Sequence, residues 1–414
     1  MIIRMLDINL IRKEPEKVKK GVAAKGADPK LVDKFLKLDE EWRALTMETD
    51  GLRSEQKKFG VEKKIKEASK VKEEIKAKES RLAEVGKERE AILLQIPNVP
   101  LSSVPVGKSE ADNKVLREVG KKPDFGFLPK DYLTLAHNLD LIDTERAAKV
   151  SGSRFGYLKN EAVILEFALV DLAMRTLVKE KFIPIVPPVL VRPEVMRGMG
   201  KVKFLEDKDA FHIPEDNLYL VGSSEHSIGP YHMDEVLKDN ELPKRYVGFS
   251  TCFRREAGSY GKDTKGILRV HQFDKVEMLV FAKPEDSEKE HRGMVALQER
   301  LMRALELPYR VVHISTGDMT FADAEQFDIE TWLPSEGRYR ETQSCSNTTD
   351  YQARGINVKY RRMDGKTEFL HMLNATVFAI GRTLIAIFEN YQTKDGKIEI
   401  PKVLQDYVGK KIIG

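Results

Sequence analysis

Cysteine is almost missing from this chain. Only Cys252 and Cys345 occur in 414 residues, too few for a disulfide framework or a thiolate zinc site. Both are expected as small packed side chains, and free thiols fit a reducing cytoplasm. Histidine is sparse too, eight residues without ligand spacing, so no zinc centre is expected. No apolar run approaches the ~18 residues of a membrane span. Met1–Leu10 is broken by Arg4 and Asp7, where a signal peptide needs an apolar core. A cytoplasmic protein without a membrane partner is therefore expected. Charge of one sign is not in excess: 70 Lys and Arg minus 66 Asp and Glu leaves +4, which decides nothing about nucleic acid until the charges are located. Neither a GxGxxG nor a GxxxxGK turn is found, and strands and helices do not alternate regularly. That argues against a doubly wound parallel fold.

What is present divides at about residue 100. Residues 1–100 are rich in Lys and Glu with few aromatics, whereas 101–414 carry short β-rich runs. In the first part a 3.5-residue period runs through Leu31, Phe35, Leu38, Trp42, Leu45, Thr49, Leu52, Gln56 and Phe59. A second track runs through Ala68, Val71, Ile75, Lys78, Leu82, Val85, Arg89, Ile92 and Ile96. Each track is one seam of a coiled coil. With Gly60 between them, the pair reads as an antiparallel hairpin roughly 45 Å long at ~1.5 Å per residue. Lys78 and Arg89 are expected to lay their stems on the seam with their heads in water. Lysines gather near the turn, among them Lys57, Lys58, Lys63 and Lys64. They read either as a solvated face balanced by nearby glutamates or as an arm that tracks a phosphate backbone.

Pro97, Pro100 and Pro105 end the hairpin in a stiff linker. Beyond it, Ala162–Val178 reads as an amphipathic helix. Strands are expected at Phe182–Val191, Leu218–Val221, Tyr246–Glu256, Ile267–Phe281, Tyr309–Ser315, Ala324–Trp332 and Phe369–Leu373. The class expected is α+β: a helical arm, then an antiparallel sheet flanked by helices.

The most informative segment is Ser250–Phe281. It reads as two strands around a glycine loop at 257–266. On the second strand, alternation puts Arg269, His271, Phe273, Lys275 and Glu277 on one face. Beside Arg254 and Arg255, that row suits the floor of a nucleotide site: a ring to stack a base, arginines for phosphates, carboxylates for a metal or an amine. Arg382 interrupts an apolar helix, which is costly unless it faces a cleft. Thr376 precedes the apolar run Val377–Phe388, so a helix N-cap is the bland alternative for it, a role compatible with ligand contact.

The stretch FRREAG…RVHQFDKVEM resembles motif 2 of the class II aminoacyl-tRNA synthetases, in the form found in seryl-tRNA synthetases. Lys181–Gly200 resembles motif 1 and its Pro188, Leu373–Gln392 resembles motif 3 with Arg382, and Glu341–Asn347 is similar to the family's ExxSCSN strand. The hairpin behind Met5-Leu6-Asp7 resembles the family's tRNA-binding arm. This resemblance implies a 1–100 tRNA-binding domain and a 101–414 catalytic domain. It implies a ligase that activates L-serine with ATP and Mg²⁺, charges serine tRNA and forms a homodimer through motif 1. Arg254 would hold the α-phosphate. Glu256 would meet the adenine amino group, with Val270 beside the ring and Phe273 and Arg382 on its two faces. Arg255 and Arg269 would add phosphate contacts. The segment Glu341, Thr342, Gln343 and Ser344 would line the ATP, with Glu341 and Ser344 on the metal. Arg254, Glu277 and Thr376 would bind serine, with Ser223, Ser224 and Glu225 near its ammonium group. The arm lysines would meet tRNA. The family usually has Thr-Ala-Glu where this chain has Ser223-Ser224-Glu225. Two other functions fit parts of the pattern: a carrier-protein aminoacyl ligase, which lacks the hairpin, and a non-catalytic tRNA-binding relative, which lacks the charged floor.

Overall fold

The structure, a computed structural model, describes residues 5–257 and 265–414. Residues 258–264 of the expected glycine loop lie outside them. Two compact units are formed, Met1–Val99 and Pro100–Gly414.

The first unit is helical: α1 (Ile8–Lys13), α2 (Pro15–Ala24), α3 (Lys30–Val61) and α4 (Ile65–Leu93). Asp7 caps α1 by accepting from the Asn9 amide at 2.9 Å, and Pro15 opens α2 at a position where no N–H is needed. Helices α3 and α4 pack as the hairpin. The apolar seam positions are buried or half-buried while most residues between them are exposed. The turn is not at Gly60, which lies within the last turn of α3. It falls at Glu62–Lys64, where Lys63 takes φ 57°. Lys78 reaches across to Glu48 as expected of a seam lysine. Arg89 does not keep its head in water. It is buried, its guanidinium lies 5.1 Å from both the Phe35 and Trp42 rings, and Nε donates to Asp39 at 2.8 Å. Asp39, fully buried, also accepts from Arg12 at 2.7 and 2.9 Å and from Arg43 at 3.2 Å. Burial pushes this carboxyl up, but hydrogen bonds from Arg12 and Arg89 outweigh it and hold the group below its ordinary value.

In the second unit eight strands form one sheet: β1 (Lys114–Val119), β2 (Ile183–Ile185), β3 (Lys244–Phe253), β4 (Gln272–Ala282), β5 (Tyr309–His313), β6 (Glu325–Leu333), β7 (Arg338–Asn347) and β8 (His371–Ala379). Their order is β1-β5-β6-β7-β8-β4-β3-β2. All neighbours are antiparallel except β2 with β3. Helices α5 (Glu161–Lys179), α6 (Ser287–Ala304) and α7 (Ile380–Asn390) pack against the sheet. Leu165 and Leu169 of α5, Leu301 of α6 and Leu384 of α7 share one core with Val276, Met278, Phe327, Ile329, Ala375 and Val377. Each of these side chains larger than Ala375 contributes about 1.5–3 kcal/mol by leaving water. The alternate residues of the same strands, such as Gln326 and Asp328 on β6, line a cavity on the opposite face.

Three expectations change. The run Phe182–Val191 is split, because Pro187 and Pro188 remove two backbone donors between β2 and the short strand Leu190–Val191. The strand expected from Ile267 begins only at Gln272, so Arg269 and His271 precede it. Thr376 is no helix cap. It lies inside β8, opposite Glu277 of β4, and α7 starts four residues later at Ile380. Pairing with β4 and β7 overrides the helical look of the run after it.

Candidate active site

The cavity has a volume of about 480 Å³, within the range of small-molecule sites. Two β-bulges aim its walls. On β7, Ile329 pairs with Gln343 and Glu330 with Glu341, so Thr342 is the extra residue. Strict alternation would send Glu341 to the same face as Gln343. The extra residue lets Glu341, Thr342 and Ser344 all line the cavity. On β8 the extra residue is Val377, between partners Phe378 and Thr376, so Thr376 and Ala379 both reach the cavity while Phe378 enters the core.

One end gathers the residues expected to meet ATP. Arg254 follows β3, donates from Nε to the Gly222 carbonyl at 3.0 Å and lies 5.4 Å from the Phe273 ring centroid. Arg382, in the first turn of α7, donates from Nη1 to the Glu341 carbonyl at 2.9 Å and lies 3.2 Å from its carboxylate. Glu256 and Arg269 form a 2.7 Å ion pair on the wall, with Val270 beside them. The Glu256 backbone is left-handed at φ 53°, a conformation that costs about 1 kcal/mol or more in a residue with a side chain.

Glu341 faces Asp328, the cross-strand partner of Ser344. Burial, and then the Glu341 charge, push the Asp328 carboxyl well above its ordinary value. Arg382 does the most to hold Glu341 down. Two facing acids beside the Ser344 hydroxyl make a place short of positive charge. Among the described residues no group of three His, Cys, Asp or Glu side chains could hold a metal ion alone. A Mg²⁺ ion that keeps waters and substrate phosphates needs only one or two carboxylates, so Glu341 and Ser344 fit it.

The other end is built from buried polar pairs. Ser223 and Glu225 line it, and Glu225 opens a one-turn helix, Glu225–Ile228. Glu225 accepts from Gln352 Nε2 at 2.7 Å, and Lys201 Nζ lies 3.1 Å from its carboxylate. Burial pushes this carboxyl up, but Lys201 leads the groups that hold it down, at about 2. Lys275 Nζ lies 2.6 Å from Glu277 and donates to Ser223 Oγ at 3.1 Å. Thr376 Oγ1 lies 3.4 Å from Ser344 Oγ.

Several expected residues do not reach the cavity wall. Arg255 stacks over Phe211 at 4.4 Å and donates to the Ala210 carbonyl. Ser224 is fully buried, its Oγ 2.8 Å from that of Ser250, which accounts for a hydroxyl at that position. Gln343 turns to the other face and donates to the Val377 carbonyl. His271 leaves the expected polar row: its Nδ1 lies 3.0 Å from the Arg254 carbonyl and its ring packs near Phe155 and Phe211. Glu277 sits behind Lys275, buried. Conversely, Lys201, Gln352 and Asp328 were not anticipated. They are single polar residues in unrelated stretches, and only the fold brings them to the site. Cys252 and Cys345 are buried as expected, and burial pushes the Cys252 thiol up to about 11.

On the hairpin, Lys57, Lys58 and Lys63 are exposed, whereas Lys64 pairs with Glu62 at 2.6 Å. No helix among the described residues is long and apolar enough to cross a membrane.

Residues 5–100 match the family described as the seryl-tRNA synthetase N-terminal domain, and residues 210–391 match the class II tRNA synthetase core domain for G, H, P, S and T. The serine–tRNA ligase of Acidothermus cellulolyticus is 45% identical over 423 residues, which cover 99% of each protein. The crystal structure of seryl-tRNA synthetase from Pyrococcus horikoshii complexed with ATP superposes with a TM-score of 0.94 at 41% identity, covering 99% of each chain. The cytoplasmic serine–tRNA ligase of Naegleria fowleri in complex with AMP gives 0.90 at 36% identity, again over 99% of each chain. With its arm, its sheet and its cavity accounted for along nearly the whole length, the chain belongs to the seryl-tRNA synthetase family of class II aminoacyl-tRNA synthetases.

Proposed function

We propose that the protein activates L-serine with ATP to seryl-adenylate and transfers the seryl group to the 3′ end of serine tRNA. The observation that carries this reading is the meeting of Arg254, Phe273, Glu341 and Arg382 around one cavity whose other end holds Ser223, Glu225 and Thr376. The serine carboxylate attacks the α-phosphorus in line, and pyrophosphate leaves. Charge grows on phosphate oxygens, so Arg254 stabilises the transition state without any protein nucleophile. Phe273 and Arg382 hold the adenine between them. Glu256 takes the adenine amino group and Arg269 the terminal phosphates, so their ion pair opens as ATP enters. Glu341 and Ser344 would hold Mg²⁺, with the Asp328 side chain close by. Mg²⁺, when bound, supplies positive charge to the phosphates.

Residues 1–100 act as the tRNA-binding domain, with Lys57, Lys58, Lys63 and Lys64 on the phosphate backbone, and 101–414 as the catalytic domain. The active form is a cytoplasmic homodimer joined through the motif 1 region. Exposed apolar side chains there and on α5, including Phe167, Ile183 and Val186, support that contact.

ATP–pyrophosphate exchange across the amino acids, followed by a charging assay, tests the reading. Exchange that depends on serine, with charging of serine tRNA, is the expected result. Exchange with another amino acid, or charging of a carrier protein instead of tRNA, overturns it.

A further inference from the structure

Of the groups expected to read serine, Ser224 and Glu277 do not line the cavity, and the Glu277 side chain is 1% exposed. Lys275, two residues earlier on the same face of β4, does line the cavity. Its Nζ lies 2.6 Å from Glu277 Oε2 and donates to Ser223 Oγ at 3.1 Å. Ser223 Oγ also accepts from the Glu225 amide at 3.3 Å. A hydroxyl oxygen has two lone pairs and one proton. Both lone pairs of Ser223 are therefore in use, and only its proton is left to give.

We infer that Lys275 is a positioning residue that sets the hydrogen-bond polarity of the serine end, holding Glu277 as an ionised acceptor and leaving Ser223 a donor only. This rests on the serine-activating reading above and changes one part of it. An ammonium group has nothing to offer a saturated Ser223, because it can only donate. The substrate ammonium must go to a carboxylate, and Ser223 is free to donate to a substrate oxygen. The Ser223 proton matches the oxygen of a substrate hydroxyl, which accepts it. A methyl group in that place leaves the donor unpaired, and that is how a polar site rejects alanine.

The charge on Glu277 needs this support. Burial pushes its carboxyl up, and Lys275 is the main opposing group. The other charged groups near it are Glu225 on its one-turn helix, which also pushes it up, and Lys201, which pulls it down. The Cys252 thiol of β3 and the Cys345 thiol of β7 face it as well, and burial keeps both protonated. Without Lys275, Glu277 takes up a proton at higher pH.

The test is serine- and alanine-dependent ATP–pyrophosphate exchange against pH for Lys275→Met, Lys275→Arg and the double variant Lys275→Met/Glu277→Gln. In Lys275→Met the serine KM should rise roughly 10–100-fold, the serine-over-alanine ratio should fall, and the acid limb of the profile should move to higher pH. The ATP KM should hold near its wild-type value. Lys275→Arg should return the acid limb toward wild type. The double variant carries a neutral pair, so it remains measurable if Lys275→Met alone does not fold, and its acid limb should lack the Glu277 contribution. A wild-type ratio and acid limb in folded Lys275→Met, or a raised serine KM with an unmoved acid limb, overturns the inference. Wild-type exchange that ignores serine would instead remove the parent reading, so the two failures are distinct.

Discussion

The two units use charge in opposite ways. On the hairpin most ion pairs lie in water: Arg53 with Asp50 and Glu79, Lys64 with Glu62, Arg81 with Glu41 and Glu84. Such pairs contribute about 0–1 kcal/mol each. They keep the surface soluble and leave the seam to do the holding. In the second unit the pairs Lys275–Glu277, Lys201–Glu225 and Arg382–Glu341 line or back a single cavity, the first two nearly buried. There a missing partner leaves a charge in low dielectric, so the same residue types set protonation states and ligand polarity. Where a charge is placed, and not how many there are, separates a scaffold from a site. Asp39 is the exception that marks the boundary of this rule: a buried acid in the scaffold, serving three arginines.

That exception offers the largest effect. Asp39→Ala leaves Arg89 buried without its partner and should destabilise the first unit by about 3–5 kcal/mol. Denaturant unfolding measures it, while serine-dependent exchange should survive. Because the Asp39 carboxyl is held below its ordinary value, its contribution is present above the unfolded value of about 4 and is lost as pH falls through the folded one. Acid unfolding of Asp39→Asn should lack that component.

Next in size, Arg254→Ala and Arg382→Ala should each slow adenylate formation by ~10²–10³, about 3–4 kcal/mol, with the fold unchanged by circular dichroism. Near-normal exchange in either variant would return that arginine to a structural role. Thr376→Val keeps the shape of the strand residue and removes a hydroxyl. It should shrink the serine-over-alanine ratio by about 1–3 kcal/mol with ATP binding little changed. The smallest effects belong to the arm. Neutralising Lys57, Lys58 and Lys63 should lower the salt slope of tRNA binding by roughly one unit for each phosphate no longer neutralised. Lys64 should matter less, being already paired with Glu62. An unchanged slope makes these lysines a solvated face.

Legibility followed the range of the interactions. The hairpin could be read because its code is local: a 3.5-residue period decides which side chains meet, and its helices run at Lys30–Val61 and Ile65–Leu93. Arg89 was misjudged because its partner, Asp39, lies 50 residues away and off the heptad track. In the sheet, period-two alternation found Phe273 and Lys275 but promoted His271, since nothing local says that β4 starts at Gln272. The cap alternative for Thr376 fails because the apolar run behind it looks helical until β4 and β7 pair with this strand. The bulges at Thr342 and Val377, which decide that Glu341 faces the cavity and Phe378 the core, are properties of strand pairs and have no signature in one strand. The motif residues themselves were recognisable. Lys201 and Gln352, which hold Glu225, were not, because single residues from separate stretches of the chain carry no pattern.

Deleting Lys30–Ile96 and measuring serine-dependent ATP–pyrophosphate exchange beside tRNA charging tests the division of work most directly. The residues assigned to ATP and serine all lie between Ser223 and Arg382, and the lysines assigned to tRNA all lie within the deleted hairpin. The expected result is exchange largely retained and charging abolished. Full charging by the truncated protein, or loss of exchange while its remaining fold persists, would contradict it.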